Sequence, residues 1–296
     1  MRSTILLTGA SGNIGSHVLP ELLRRGHEVR TFAGDVTEPA EVAEAVAGVD
    51  TVVHLAAVIP PESDEWPAWA HEVNIGGTRH VIEACRAQAD PPRLLFTSTF
   101  DVHGRTQGKE PPRRVDDPLM AVDPYTEHKI ECERLIRESE LDWVIFRLTD
   151  VPVLGMRKPH PIMFEIGLDN RIEALHADDA ALAIAGALTA PEVWGRVLFI
   201  GGGPSCQLTY REYLSRLLAA MGVKPLPDKA FSDAEYVTDW VDSTESEALM
   251  HYQRHTFDDI AEAIAASLGW RRRLVPLVEP FARRAMLKLS PYYKAR

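Results

Sequence analysis

Cysteine is scarce in this chain: Cys85, Cys132 and Cys206 stand far apart, odd in number and without a CxxC pair. That excludes a disulfide scaffold or a cysteine-rich metal module and predicts reduced, packed thiols of a cytoplasmic protein. No apolar run reaches about 18 residues, so no membrane-crossing helix is expected. Positive charge is also short. With 32 Lys and Arg against 43 Asp and Glu the net charge is −11, which gives a nucleic-acid role no global support. Repeats and low-complexity tracts are missing, and the opening MRSTILLTGASG has no signal-peptide layout. What remains is an ordinary globular composition, 45% hydrophobic and 25% charged over 296 residues. That length suits one large α/β domain, or one domain carrying a smaller one.

Apolar runs rich in β-branched residues recur at STILLTG, DTVVHLAA, RLLFTSTF, DWVIFRLT and RVLFIGGG. Each reads as a parallel strand buried on both faces. Helix-like segments lie between them, at 14–25, 38–47, 71–88, 125–139 and 178–188. The alternation predicts an α/β, doubly wound parallel sheet. After Gly203 the pattern becomes mostly helical, which suggests a smaller region laid over the carboxyl edge of the sheet.

The first strand runs into TGASGNIG, with Gly9, Gly12 and Gly15 spaced G-x-x-G-x-x-G. Glycines there let the backbone turn tightly at a helix N-terminus, where free N–H groups and the dipole favour a pyrophosphate. Ser11 and Asn13 add a hydroxyl and an amide donor. Further along, DPYTEHKIECERL places Tyr125 and Lys129 four apart, on one face of a helix. A neighbouring cation favours a phenolate and makes the tyrosine a usable acid/base. In a chain with seven Tyr and seven Lys that spacing arises by chance roughly one time in six, so alone it is only suggestive. The strand end FTSTFDVHG brings Ser98 and Thr99 to the carboxyl edge, where a hydroxyl can hold the oxygen that Tyr125 protonates.

TGASGNIG, HLAA at 54–57, VNIGGT at 73–78, STFDVHG and YTEHK occur in order. Together they resemble an extended short-chain dehydrogenase/reductase of the NAD-dependent epimerase/dehydratase type. LHADDAALA (175–183) and VLFIGGGPSCQLTYREY (197–213) extend the resemblance over most of the chain. It implies a Rossmann-like fold holding NAD or NADP. Residues 1–150, completed by 176–203, would form the dinucleotide-binding domain, and 151–175 with 204–296 the substrate region.

The resemblance also implies the catalytic set Thr99, Tyr125 and Lys129, with Asn74 stabilising the site and Lys129 meeting the nicotinamide ribose. The cofactor set it implies is Gly9, Ser11, Gly12, Asn13, Ile14, Gly15, Asp35, Val36, Leu55, Ala56 and Ala57, with Tyr125 and Lys129. The expected activity is NAD(P)-dependent oxidation, reduction or epimerisation at a hydroxyl or ketone of a small molecule, a sugar nucleotide or secondary metabolite. Departures fall on the substrate side: His103 stands where Tyr is common, Leu148 where Pro follows Arg147, and Asp150 where Asn is frequent. Phe100 and Asp101 replace the Asp-Glu pair of the sugar-nucleotide 4,6-dehydratases. A general acid for water elimination is therefore missing, and dehydration is disfavoured.

GHEVRTFAGDVTEP, 26–39, is too short for what it should hold. A parallel neighbour needs a crossover of roughly a dozen residues, yet Val29 and Asp35 are separated by five. The third strand is expected to be lost, or replaced by a short irregular one. The residue meeting the adenosine ribose falls near Ala33, which offers nothing to a 2′-OH or 2′-phosphate. Asp35 has a ribose-carboxylate spacing but an adenine-contact setting, and Arg30 either meets a phosphate or points off the strand. A weakened adenosine site is the expectation.

Other features allow two readings each. Trp66 and Trp69 form a substrate lid or are two buried indoles. His54, His103 and His176 lack ligand spacing, so packed histidines are expected and no metal. Asp178 and Asp179 read as helix caps, and Arg147 with Asp150 as possible substrate contacts. Residues 271–296 carry eight Lys or Arg and one acid. They suggest a C-terminal helix packed on its own domain or, less favoured, a basic amphipathic helix on an anionic membrane or another subunit, in which case a homodimer is possible. Two alternatives to the redox enzyme stay open: acid/base chemistry without cofactor, such as cyclisation or elimination, and a non-catalytic NAD(P) sensor.

Overall fold

The computed structural model describes residues 2–155 and 158–294. Its strands are β1 Thr4–Thr8, β2 Glu28–Thr31, β3 Thr51–His54, β4 Arg93–Thr99, β5 Trp143–Leu148, β6 Arg171–Glu173, β7 Arg196–Ile200 and β8 Gln207–Thr209. The α-helices are α1 Gly15–Arg24, α2 Pro39–Val46, α3 Glu62–Glu65, α4 Pro67–His71, α5 Gly77–Arg86, α6 Pro124–Arg137, α7 Ala177–Ala187, α8 Tyr210–Ala220, α9 Thr244–Met250, α10 Phe257–Ala266 and α11 Val275–Leu287.

Six strands form one sheet in the order β2-β1-β3-β4-β5-β7, all parallel, with Leu6 facing Arg30 on one side and Val52 on the other. β3 is buried at every position, as expected for a strand covered by helices on both faces. α1 and α7 cover one face through Val18, Leu22, Ala180 and Ile184. α2, α5 and α6 cover the other through Val42, Val81, Cys85 and Ile136. Successive strands leave β1 in opposite directions, so the crevice for a ligand opens beyond the carboxyl ends of β1 and β3.

The missing strand is confirmed. β2 is the sheet edge, and between Thr31 and Thr51 the described chain holds only the helix α2. The irregular substitute strand does not form. β2 is a thin edge, with only Val29 partly buried. Glu28 and Arg30 point charge outward, a usual guard against edge-to-edge pairing.

The second layer has its own core, made by Phe164, Leu208, Tyr210, Leu214, Phe231, Phe257 and Ile260, beside the antiparallel pair β6–β8. A strap over residues 231–241 fastens this layer to the loop after β4. Buried Asp239 binds Arg171 Nε at 2.6 Å and accepts from Thr106 Oγ1 at 2.8 Å.

Candidate active site

The glycine turn is shaped for close approach. Gly9 has φ +68, and a Cβ there would lie 2.8 Å from Ala56 N; a Cβ on Gly15 would lie 2.1 Å from Gly9 O. Gly12 N donates to Gly9 O at 3.0 Å, closing the turn. α1 then begins at Gly15 with no side chain capping its first amides. A cradle that a side chain would fill, set at an anion-favouring helix end, fits a dinucleotide pyrophosphate. Ser11 is exposed at this turn. Asn13 is turned elsewhere: its Nδ2 donates to Val151 O at 3.0 Å, tying the turn to the loop after β5. Ile14 packs on the α1–α7 core. Leu55, Ala56 and Ala57 are half-buried beyond β3, and the N–H groups of Leu55 and Ala56 donate to Thr8 Oγ1.

The adenosine side is cut back. Phe32, Ala33 and Gly34 lead from β2 straight to Asp35, whose Oδ1 accepts from Thr37 N and Oγ1 at 2.9 and 2.8 Å. That turn holds the Asp35 carboxyl below its ordinary value. Val36 is buried against Gly77, and its carbonyl bonds His80 Nδ1. Arg30 points off the strand and donates to Ala47 O at 2.8 Å.

At the opposite end of the cleft the sheet edge and α6 bring Thr99, Tyr125 and Lys129 together. α6 starts with a capping box between Asp123 and Thr126, with Pro124 in its first turn. This sets Tyr125 in the first turn and Lys129 one turn on. Lys129 is buried; its Nζ donates to Thr97 O at 2.8 Å and lies 4.5 Å from the Phe96 ring centre and 5.8 Å from that of Tyr125. Burial pushes it down to about 8. Thr99 Oγ1 accepts from Asp101 N at 3.2 Å.

One electrostatic expectation is overturned. The Tyr125 phenol is pushed up, first by burial and then by Asp101 and Asp123, not lowered by Lys129. The ammonium is held at the Thr97 carbonyl, 5.8 Å from the centre of the phenol ring. Asp101 is itself pushed up to about 7 by burial, against its bond to Thr99 and helped by Asp123 and Asp150. Tyr236, from the strap, is pushed up to about 12 by burial, with Asp101, Asp123 and Asp150 adding to it.

Asn74 is a fastener. It is buried in a π-helical turn, Glu72–Gly76, its Oδ1 accepting from Val58 N at 2.7 Å and its Nδ2 donating to Val58 O at 2.8 Å. It locks the loop after β3 to α5, and its second Nδ2 contact, His128 Nδ1 at 3.3 Å, reaches α6. π-turns are often found at functional sites.

Other residues resolve differently from expectation. Arg147 does not face a substrate: it forks onto Glu133 at 2.9 and 2.7 Å and bonds Val115 O at 2.7 Å and His103 Nε2 at 3.0 Å. Trp66 and Trp69 are 63% and 53% exposed, so they are not buried indoles. His176, not an aspartate, caps α7 by accepting from Asp178 N. Asp179 is buried and instead bonds Arg254 N, His255 N and His255 Nδ1. His54 lies between Thr8 and Thr78 and is pushed down to about 3 by burial. His176 stacks on His255 at 3.9 Å and 14° beside Asp178; rings so nearly parallel do not aim their in-plane lone pairs at one point. Residues missed from the sequence are Asp101 as a site carboxyl, Glu133 and Tyr236. Glu133 was readable, four residues after Lys129 on the same helix face; Tyr236 carried no local signal.

The model of the NAD dependent epimerase/dehydratase family matches residues 5–190. A 2-alkyl-3-oxoalkanoate reductase of Stenotrophomonas maltophilia is 31% identical over 266 residues, covering 77% of this chain and 78% of that protein. A 3-beta-hydroxysteroid dehydrogenase of Mycolicibacterium neoaurum is 32% identical over 157 residues, 45% of this chain and 42% of that protein. Among solved structures, RMD from Pseudomonas aeruginosa complexed with NADPH aligns at TM-score 0.77 and 20% identity, covering 91% and 99% of the two chains. A UDP-glucose-4-epimerase from Stenotrophomonas maltophila with bound NAD aligns at 0.76 and 19%, covering 93% and 100%. The structural likenesses carry the fold; the family match over residues 5–190 and the relative that is 31% identical over 266 residues show that the chain belongs to the NAD dependent epimerase/dehydratase family.

Proposed function

We propose that the protein is an NAD(P)-dependent oxidoreductase acting on a secondary alcohol or ketone borne on an apolar skeleton without a phosphate group. The observation that carries the reaction type is the convergence of Thr99, Tyr125 and Lys129 beyond the glycine cradle. Bound nicotinamide would supply the hydride donor or acceptor. Tyr125 takes the proton from the substrate hydroxyl, or returns it to the forming alkoxide. The Thr99 hydroxyl donates to the same oxygen. Lys129, held at Thr97 O, positions α6 against β4 and would meet the nicotinamide ribose.

The substrate class is carried over from the relatives. The two named relatives act on an oxo or hydroxyl group carried by a hydrocarbon skeleton, as their names state. The strap and the region after β7 form the substrate side, and the buried free thiols fit a reducing, cytoplasmic compartment.

Tyr125→Phe is expected to lower turnover by about 10²–10⁴-fold with cofactor binding and unfolding temperature unchanged. Unchanged turnover refutes the role. In parallel, reduction of alicyclic ketones is compared with turnover of UDP-sugars by following nicotinamide absorbance. Preferred turnover of the sugar nucleotides would overturn the substrate class and leave the reaction type standing.

A further inference from the structure

α11 has two apolar faces, and only one is used. Met286 and Leu287 reach into the second core, and buried Glu279 accepts from Lys224 N. On the outer side Leu274, Leu277, Val278 and Phe281 follow the i, i+3, i+4, i+7 spacing of a single helix stripe. They are 42%, 73%, 50% and 77% exposed, and Trp270, in the 3₁₀ turn leading into the helix, is 70% exposed. Isolated apolar side chains on a surface need no explanation, but a continuous stripe with an aromatic at each end does.

The cations sort by face. Arg272 is spent inward, on Glu262 at 2.6 and 3.0 Å and on Ala220 O. Arg283 is spent on Pro225 O at 3.1 and 3.0 Å. The side chains of Arg271, Arg273, Arg284 and Lys288 make no hydrogen bond or ion pair among the described residues, and all four are exposed. They border the apolar stripe in sequence and spacing. The rest of the molecule is strongly acidic, since eight Lys or Arg and one acid lie within 271–296 of a chain whose net charge is −11.

We propose that this face of α11 is a docking surface for an anionic phospholipid membrane. The stripe enters the headgroup boundary, the helix lies in the plane, and the unpaired cations meet lipid phosphates and carboxylates. A helix of 13 residues is too short to cross, since spanning takes about 20. Among the described residues no helix is long and apolar enough to do so. The charge pattern also favours this orientation, because outside 271–296 the chain is net acidic. A second copy of the chain fits this face less well. A two-fold contact places the same patch on itself and would set the cations of one copy, Arg271, Arg273, Arg284 and Lys288, against those of the other.

Co-sedimentation of the full chain with vesicles tests this without any turnover, so its outcome is independent of the reading of the active site. The probes are phosphatidylcholine vesicles alone, and the same vesicles with roughly 30% phosphatidylserine. Expected is binding to the anionic vesicles at least tenfold above that to the neutral ones, with loss in high salt. The double substitution Leu277→Ser with Phe281→Ser, and separately Arg284→Glu with Lys288→Glu, should each lower binding at least tenfold at an unchanged unfolding temperature. Wild-type protein that stays in the supernatant overturns the proposal, as does equal binding by the variants. A concentration-dependent dimer in sedimentation velocity that Leu277→Ser with Phe281→Ser abolishes also overturns it, by assigning the face to a second copy.

Discussion

Glu133→Gln is expected to be among the most destabilising polar substitutions in this chain. Glu133 is fully buried on α6, and Arg147, 2% exposed, lies beneath it on β5. Their two parallel bonds, at 2.9 and 2.7 Å, form a charge-assisted fork, and Arg137 adds a third contact to the same carboxylate. Burial alone would raise the Glu133 carboxyl, but Arg147, with smaller help from Ser98 and Arg137, more than offsets it and holds it below its ordinary value. Replacing the carboxylate by an amide leaves the Arg147 cation in the interior without its counter-charge. Breaking a buried pair from one side costs about 3–5 kcal/mol, a large part of the roughly 5–15 kcal/mol that a domain holds in total.

Urea unfolding followed by circular dichroism measures this directly. Glu133→Met with Arg147→Met removes both charges. It leaves only Val115 O and His103 Nε2 short of a donor, so it should be less destabilised than the sum of its single variants by about 2 kcal/mol or more. The depressed carboxyl also fixes the sign with pH. The stabilisation is complete well above the unfolded value of about 4.3 and fades as pH falls through the folded one, so wild type and Glu133→Gln should converge in acid. Turnover of the folded variant should fall less than tenfold, because Glu133 does not touch the reacting atoms. A Glu133→Gln protein within about 1 kcal/mol of wild type at neutral pH, or strict additivity in the cycle, would refute the reasoning.

Two further outcomes follow from the site. Lys129 is pushed down from 10.5 to about 8 by burial, so between those values the unfolded chain keeps a proton that the folded one has released, and stability rises with pH. Relative to Lys129→Met, wild type should gain roughly 3 kcal/mol between pH 7 and 10.5; a constant difference across that range in paired denaturant titrations sinks the assignment. On the cofactor side, Arg30 is bound to Ala47 O and Asp35 to Thr37. NAD and NADP should therefore bind within about tenfold of each other in calorimetry, and weakly; tight binding with a hundredfold preference for either would show that the adenosine half is specifically held.

The sheet was legible because each strand is an apolar run bounded by turn residues, and because parallel strands buried on both faces leave that signature. The loss of the third strand was legible from arithmetic alone, five residues where a crossover needs about a dozen. Side-chain partners were not. Arg147, next to Asp150, reads as a substrate contact, but its partner is four residues beyond Lys129 on another element, and only packing of α6 on β5 brings the charges together. Asp179 reads as a cap because acids favour helix starts; the fold buries it under His255, a contact 76 residues away. Tyr236 arrives on an irregular strap, and no periodicity marks such a segment.

The shortened edge and the active site are linked through the separate needs of the two halves of a dinucleotide. The pyrophosphate needs backbone: glycines at 9 and 15 whose Cβ atoms would collide with Ala56 N and Gly9 O, and an open helix end. The nicotinamide end needs the sheet edge and α6, both set by buried elements, with β4 and β5 paired over six residues. The adenosine end alone draws on β2 and the short loop between β2 and α2, and β2 sits at the edge, where removing a neighbour exposes little core. Loss there therefore leaves the chemistry in place. We infer that binding free energy falls instead on the pyrophosphate cradle and on the loop that Asn74, bonded to both backbone groups of Val58, locks to α5.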